Sequence, residues 1–599
     1  MLCAKTNLTQ PLREATGRSL PALAVTVLLA LWSVLPSLPL TAQTTPDTPA
    51  ATPPAAVVPA PAVDNSLCAS CHEDVAPVGA HGRSACASCH KQHEEYPHPA
   101  DVALPACADC HKKNGHDFDI GVHGAAGRAG QPAPDCSTCH GVAHEVQTPS
   151  SFDFRRKLPE ICSGCHDDVA KHFGASVHGT QLAAGVADAP NCATCHGEHA
   201  IRKPSDPAST VNARNIRETC GQCHGNVRLA RRHNLPTNRL SSFDDSFHGL
   251  ALKGGSQTVA NCASCHGVHD ILPSSDRRSM THESNLPKTC GQCHEGAGSR
   301  FAIGVVHLAE GEEEPVGVTW VRLFYLIIIP LTLGLMLVHN GGDWIRKLIK
   351  LRKGQPRVIV AKAARSHRMF PLERLQHAGL AISFIVLTWS GFALVWPDRW
   401  WAMPLTGFEG AEVRRNIHRV AAVVFIIVSL SHVLTLILSP RLRSHWKEMI
   451  PKWRDVGDAI GQFSYNIGLR KSAPALPSHS YIEKAEYWAV VWGGVLMSIT
   501  GLLLWANNLA MAYLPKSWLD VATAVHWYEA ILAAAAIVIW HFYGVIFDPD
   551  VYPLDTAFLT GYSVREHGAH DDAIAAAGDN GPAQSPQTDG QHDRVIAGA

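Results

Sequence analysis

The hydrophobic pattern divides the chain. Residues 318–340, 375–396, 413–438, 485–506 and 523–547 are nearly unbroken apolar runs, each long enough to cross a bilayer as a helix. Another run, LPALAVTVLLALWSVLPSLPL, follows Lys5, Arg13 and Arg18 and ends at TAQ. A basic start, an apolar middle and a small-residue end predict an export signal over 1–42, the alternative being an uncleaved anchor helix. Residues 64–310 sustain no long periodic apolar pattern, so short helices and loops are expected there. Residues 43–63, TTPDTPAATPPAAVVPAPAVD, read as an extended Pro/Ala-rich linker. The polar stretch 563–599 reads as a disordered cytoplasmic tail. The expected fold class is all-α: an irregular domain over 64–310 and a five-helix transmembrane domain over 318–562.

Charge orients these elements. The net charge is −1, which gives no bulk attraction to nucleic acid. The loop 341–374 carries ten Lys/Arg and the loop 439–484 carries eight, whereas the alternate loops carry chiefly Arg399 and Lys516. The basic loops are therefore expected in the cytoplasm and residues 64–310 outside it, in the periplasm of a bacterium with this chain as a multipass inner-membrane protein.

The chemistry lies in the cysteines. Eighteen of the 19 fall in nine copies of C-x-x-C-H. The pairs are Cys68/Cys71, Cys86/Cys89, Cys107/Cys110, Cys136/Cys139, Cys162/Cys165, Cys192/Cys195, Cys220/Cys223, Cys262/Cys265 and Cys290/Cys293. This is the pattern of covalent haem c attachment: two thioethers, then a histidine that cannot avoid the iron. The proximal ligands are then His72, His90, His111, His140, His166, His196, His224, His266 and His294. Zinc knuckles pair two C-x-x-C units without needing this histidine, and a disulfide scaffold would not repeat it.

The haem segment is a repeat. Four motifs have a second histidine close behind, at His93, His144, His199 and His269. The plainer motifs are followed by His81, His123, His178, His248 and His307, usually before a glycine. The last two units are in register at 70 residues. Nine extra histidines for nine irons suggest bis-histidine coordination throughout, without saying which histidine serves which haem; His98, His116, His172, His233 and His282 are spare. At roughly 27 residues per porphyrin no conventional side-chain core is available, so the porphyrins must supply it.

Histidines inside membrane helices are costly and usually functional. His418 and His526 start the third and fifth runs at the outer side; His377 starts the second at the inner side, and His541 lies 15 residues beyond His526. Fifteen residues rise about 22 Å with about 60° between side chains, which suits two stacked haems. His418 with His526 would ligate an outer b haem and His377 with His541 an inner one, although His432 competes for the inner site or makes a helix–helix or quinone hydrogen bond. Gly379, Gly391, Gly493, Gly494 and Gly501 would permit close approach of helices or porphyrins. Glu529, beside His526, is the leading candidate for handling quinol protons or hydrogen-bonding a haem ligand, with Glu483, Lys484 and Glu486 as others.

RLQHAGLAISFIVLTWSGFAL, NIHRVAAVVF, YIEKAEYWAVVWGGVLMSITGLLLW and VHWYEAILAAAAIVIWHFYGVIFDPDVYPLD resemble the di-haem cytochrome b subunits of formate dehydrogenase and hydrogenase, the b561-like superfamily. With nine c-type motifs ahead, the chain resembles the fused c/b cytochromes of metal-respiring bacteria, which pass electrons from menaquinol to periplasmic c-type cytochromes. The resemblance implies b-haem ligands at His377, His418, His526 and His541 and a quinone site near the inner haem. The extra first helix is a departure from the dehydrogenase type and reads as a tether. The favoured expectation is electron transfer from the quinone pool, through two b haems and nine c haems, outward; the alternative is a terminal reductase with one open c haem for nitrite or tetrathionate. The direction of flow and the oligomeric state are open on sequence alone. The expected measurement is a pyridine haemochrome spectrum with both c- and b-type bands in a 9:2 ratio, and low-spin EPR signals alone in the oxidised protein.

Overall fold

The structure, a computed structural model, describes residues 65–563 except 74, 76–77, 92–96, 100–104, 300–313, 355–366, 407–410 and 478. The expected export signal, linker and tail lie outside the described residues, as do His93 and His307. The described fold is helical; its only β pairing among the described residues is a bridge between His367 and Tyr562. The chain forms two compact units, one of residues 1–77 and 82–102, the other of residues 78–81 and 103–599. In the first, Asn65 accepts a hydrogen bond from the Cys86 amide at 3.0 Å and donates to the Ser84 carbonyl, joining its two C-x-x-C-H helices.

In the second unit the motif helices have repeated local causes. Asp135, Asn191 and Asn261 cap the helices Cys136–His140, Cys192–His196 and Cys262–His266, and the hydroxyl at the third helical position returns the hydrogen bond. These are the capping boxes in DCSTCH, NCATCH and NCASCH. Each helix then stops at once on Gly141, Gly197 or Gly267, with φ of 85°, 81° and 82°. Only glycine adopts that conformation readily, so the chain turns away directly after the proximal histidine. The carboxylate of Asp135 is held down to about 2 by the three donors of its cap, the hydroxyls of Thr138 and Ser137 and the Thr138 amide.

The histidine–glycine pairs have a steric cause. His123, His178 and His248 sit on the short helices Val122–Arg128, Val177–Ala183 and Phe247–Lys253. The following Gly124, Gly179 and Gly249 press on the carbonyls of Phe118, Phe173 and Phe243, where any Cβ would collide. Ser176 and Ser246 cap the second and third of these helices through the Gly179 and Gly249 amides. Large buried apolar side chains are few in this region, chiefly Phe154, Leu182, Phe243 and Leu252. The 70-residue register persists into side-chain bonding: Asn215 and Asn285 each donate to carbonyls six and eight residues upstream.

Among the described residues, five helices are long and apolar enough to cross a membrane. We label the helices of this half α1 (Val316–Arg352), α2 (Pro371–Val395), α3 (Ala411–Leu438), α4 (Trp453–Asn466), α5 (Tyr481–Trp505) and α6 (Lys516–Ala536), the last continuing through two π-helical turns to Phe547. The pairs α2–α3 and α5–α6 pack as hairpins, and α1 lies along α6. A polar face holds α1 there. Tyr325 donates to Glu529 at 2.9 Å, Asn340 to the Ile539 carbonyl at 2.8 Å and Lys347 to Asp548 at 2.8 Å, while Tyr543 donates to Asp343. These partners carry α1 twelve residues past the expected end at 340, to Arg352.

The stretch 439–484, expected as a loop, contains Pro440–Trp446 and α4. Helix α4 is reversed relative to that of a soluble protein: Asp455, Gln462 and Asn466 are buried, while Trp453, Val456 and Ile460 point outward. That polarity suits an interfacial helix with its apolar face on lipid. Lys484 is buried against Asp455 at 2.8 Å and ties α5 to α4.

Gly179→Ala is expected to cost about 1–3 kcal/mol by overpacking and to displace His178. Gly174→Ala, whose Cβ meets nothing within 4 Å, is the control. Thermal melts with the optical low-spin signature check both.

Candidate functional site

The histidines stand in facing pairs. In the first unit His72 faces His98, with ring centres 6.4 Å apart. In the second, His111 faces His81 (6.1 Å), His140 faces His199 (6.0 Å), His166 faces His123 (6.3 Å), His196 faces His269 (6.0 Å), His224 faces His178 (6.2 Å) and His294 faces His248 (6.2 Å). The membrane half repeats this: His377 faces His541 at 6.3 Å and His418 faces His526 at 6.4 Å.

The spacing has a chemical meaning. Imidazole nitrogens bind first-row metals at about 2.0–2.1 Å, and the ring centre lies about 1.1 Å behind the nitrogen, so two trans ligands put ring centres about 6.3 Å apart. All nine pairs match that, so the donor sets fit six-coordinate haem iron. Burial beside a second imidazole pushes His178 and His248 down to about 4, which leaves them neutral and able to donate a lone pair at neutral pH.

Two pairing rules emerge that the sequence did not disclose. Each plain-motif histidine in the second unit faces the histidine–glycine residue one unit upstream (His111/His81, His166/His123, His224/His178, His294/His248). His140 and His196 instead face the second histidine of the next repeat. His98, expected as a spare, faces His72. His90, His144 and His266 each make interactions of their own.

Cysteines of successive motifs lie near one another. Cys68 lies beside Cys86 in the first unit. In the second, Cys107 lies beside Cys136, Cys139 beside Cys162, Cys162 beside Cys192, Cys195 beside Cys223, Cys220 beside Cys262 and Cys265 beside Cys290. An unbroken line of neighbours therefore runs from the third motif to the ninth. The ninth rests on the membrane half. The His294 Nδ1 meets Asn508 Oδ1 at 3.1 Å, helix Phe247–Lys253 packs on α2, and the Lys516 ammonium acts on both His248 and Cys290.

The second thiols of the motifs fall into two groups, a division the uniform C-x-x-C-H pattern does not show. Cys139, Cys195, Cys223 and Cys265 are half-buried, whereas Cys71, Cys89, Cys110, Cys165 and Cys293 are exposed. The cause is where each helix ends. The first group lies inside a helix that runs on to the proximal histidine: Cys136–His140, Cys192–His196, Ile216–His224 and Cys262–His266. In the second group the helix stops at or before the thiol. Cys71 follows Ser66–Ala69, Cys89 ends Cys86–Cys89, and Cys110 follows Cys107–Asp109. Cys165 follows Phe152–Ser163, and Cys293 follows Leu286–Gly291. For Cys71, Cys89, Cys110 and Cys165 no thiol of another motif stands alongside among the described contacts. Their expected part in haem attachment therefore rests on the motif itself, and burial does not add to it.

The outer membrane pair has its tautomers fixed. The Ser390 hydroxyl donates to the Val386 carbonyl at 2.6 Å, so its oxygen accepts from His418 Nδ1 at 2.8 Å. Thr500 donates to the Leu496 carbonyl and accepts from His526 Nδ1 at 2.9 Å in the same way. Each Nε2 is left bare toward the other ring. Gly391 and Gly501 give these imidazoles room: a Cβ there would lie 3.6 Å and 3.3 Å from the His418 and His526 rings. At the inner pair, His541 Nδ1 meets Glu486 at 3.2 Å. Arg414, buried at the outer end of α3, donates to the Ser390 carbonyl. Sequence reasoning missed Ser390, Thr500, Arg414 and Asn508; the repeated dipeptides Ser390-Gly391 and Thr500-Gly501 were the available signal.

Glu529 is buried, bonded to Tyr325, and faces Gly493, where a Cβ would meet its carboxylate at 2.9 Å. It does not bond His526, whose Nδ1 belongs to Thr500. His339, on α1, is buried, with Tyr481 at 2.6 Å and Asn340 at 2.9 Å. His432 faces no histidine; its Nδ1 meets Gln376 Oε1 and its Nε2 meets the Tyr487 hydroxyl, each at 3.2 Å. One cavity of about 3730 Å³ is lined by His248 and His294, by both membrane pairs and by His432 and Tyr487.

Helices paired across an apolar cavity by two stacked bis-histidine sets define a membrane cytochrome b. Residues 368–555 match the family model of prokaryotic cytochrome b561. This domain implies electron transfer within the membrane by b haem. No curated protein and no solved structure matches the chain.

Thr500→Val is expected to raise the outer b-haem potential by on the order of 60 mV, the one-electron equivalent of a tenfold change, because the His526 ring loses its acceptor and becomes a poorer donor to ferric iron. Thr500→Ser is expected to leave it unchanged. Spectroelectrochemical titration of the b band reads both.

Proposed function

We propose that this chain is a quinol-oxidising electron conduit of the bacterial inner membrane. Menaquinol gives up electrons at the cytoplasmic end of the b domain, the electrons cross to the outer b site, and nine c sites carry them to periplasmic c-type cytochromes. The observation that carries this reading is the continuity of the sites: inner pair, outer pair, ninth motif, then neighbouring motifs back to the third. Bound haem supplies one-electron iron chemistry at each pair.

The chain's own residues do the rest. His377 and His541 form the receiving pair, and Glu486 orients His541. Ser390 and Thr500 fix the outer pair. Asn508 turns the His294 ring at the c-domain junction. The Lys/Arg concentration beside the inner pair supports a cytoplasmic location for that end, with the c motifs outside. Every described pair is a histidine pair, which favours a conduit over a reductase with an open iron.

Anaerobic mixing of the holoprotein with a menaquinol analogue is expected to reduce the b band before the c bands. A His541→Ala variant is expected to lose quinol-driven c reduction while dithionite still reduces all nine c haems. Quinol reduction of the c haems at an unchanged rate in that variant overturns the conduit.

A further inference from the structure

The membrane half is built twice. Phe370 and Ser480, Glu373 and Glu483, Gln376 and Glu486, His377 and Tyr487, Ser390 and Thr500, and Gly391 and Gly501 all stand 110 residues apart. The correspondence is structural as well as numerical. Glu373 and Glu483 each accept the backbone amide three residues upstream, at 2.8 Å and 3.0 Å. Ser390 and Thr500 each hold the Nδ1 of an outer ligand. Gln376 and Glu486 each hold the Nδ1 of an inner histidine, His432 and His541. In the partner helices His418 and His526 stand 108 apart, while His432 and His541 stand 109 apart. The one-residue difference coincides with the π-helical turn Ile537–His541, the local form that absorbs a single extra residue. Hairpin α2–α3 is thus the counterpart of α5–α6.

The duplication makes the outer site symmetric, one histidine from each hairpin. It also generates two inner sites. One is His377 of α2 with His541 of α6, spaced for an iron. Its counterpart is Tyr487 of α5 with His432 of α3. Their ring centres are 6.0 Å apart, but the tyrosine hydroxyl projects into the space an iron would take and bonds His432 Nε2. The same scaffold therefore carries an electron-accepting pair on one side and a proton-handling pair on the other.

We propose that Tyr487 and His432 are the proton-accepting site for quinol oxidation, Tyr487 touching the substrate and His432 acting through it. This rests on the proposed function. The hydrogen bonds fix the roles. His432 Nδ1–H donates to Gln376 Oε1, so Nε2 is the acceptor and the Tyr487 O–H points at it. The Tyr487 oxygen keeps a lone pair for a quinol hydroxyl. As that hydroxyl gives its proton to the tyrosine oxygen, the tyrosine proton passes to His432 Nε2. The quinol loses two electrons and two protons to become the quinone. A haem held by His377 and His541 would supply the one-electron acceptor, taking one electron per step; one proton goes with each electron through Tyr487 to His432 Nε2, and His432 releases the first into the shared cavity, whose wall carries the Glu373 carboxylate, before it accepts the second. Trp446 and Trp488 wall this corner, their ring centres 4.8 Å and 5.7 Å from that of Tyr487, and both line the shared cavity. Flat aromatic walls beside a hydrogen-bonding hydroxyl suit a hydroquinone ring.

The test uses full-length holoprotein and a soluble menaquinol analogue in stopped flow. In Tyr487→Phe, b-band reduction at saturating quinol is expected to slow about 100-fold, with less than about tenfold change in the quinol concentration giving half-maximal rate. His432→Gln is expected to slow it comparably, with two b haems retained and dithionite reduction unaffected in both. A rate within about threefold of the unmodified protein in Tyr487→Phe overturns the assignment, since a general base is worth more than that. Loss of b haem in Tyr487→Phe also overturns it, by showing a structural clasp. If the unmodified protein does not oxidise the quinol, the conduit and this site fall together.

Discussion

The fixed gap between two facing imidazoles governs this structure. An iron held from both sides leaves little tolerance in the distance between the chains that carry its ligands. Nine described pairs sit within 6.0–6.4 Å, although the backbones presenting them differ. In the c region the gap is set by two-turn helices, capped at one end and stopped by glycine at the other. In the membrane it is set by long helices, with hydroxyls holding the far nitrogens of the outer ligands. The same constraint accounts for the poverty of apolar core in the c region. With few large buried side chains, the ligand pairs and the groups they hold must carry the organisation of the fold.

The ligand pairs also bind the repeats to one another. Each histidine–glycine residue faces the plain motif next downstream, and His199 and His269 face the motif histidines of the preceding repeats, so each of these pairs joins two neighbouring repeats. The line of neighbouring cysteines runs along the same joins. Where the ninth motif meets the membrane half, the same continuity is maintained by different means: a hydrogen bond from His294 to Asn508, a lysine at the start of α6, and a short helix seated on α2.

Much of this was legible in the residues. The nine C-x-x-C-H motifs, the five spans and the four membrane histidines follow from spacing, apolar length and the cost of burying imidazole in lipid. The pairing of distal with proximal histidines was not, because it depends on which helices return to which motif. His98 shows the difficulty: it lacks the glycine that marks its counterparts, yet it stands opposite His72. The glycine itself was visible without its reason, which is a carbonyl pressed where a Cβ would be. Nor could identical motifs reveal that Cys71 or Cys165 lies past the end of its helix while Cys139 lies within one. The extent of α1 was under-read because its last turns are polar, and polarity there reflects partners on α6 rather than the end of a helix. The π-helical turn was invisible, so the simple 60° offset between His526 and His541 does not hold; a widened turn advances less per residue. The duplicated hairpin was hidden by low identity, the two copies agreeing mainly at helix-capping and ligand-supporting positions.

The vertical separation of the two membrane pairs places an elementary charge in the path of the transmembrane voltage. Fifteen residues separate His526 from His541, a rise of roughly 20 Å once the π-helical turn is allowed for, most of the hydrocarbon thickness. In the proposed orientation, with the inside of an energised cell negative, an electron passing from the inner to the outer pair would move toward positive potential, and each 100 mV over the full thickness would favour that step by about 2.3 kcal/mol. Voltage would then pull electrons outward and resist their return. On the proposed reading the chain would behave as a rectifier under load, reducing acceptors too poor to draw electrons from the quinol unaided and discharging the membrane as it did so.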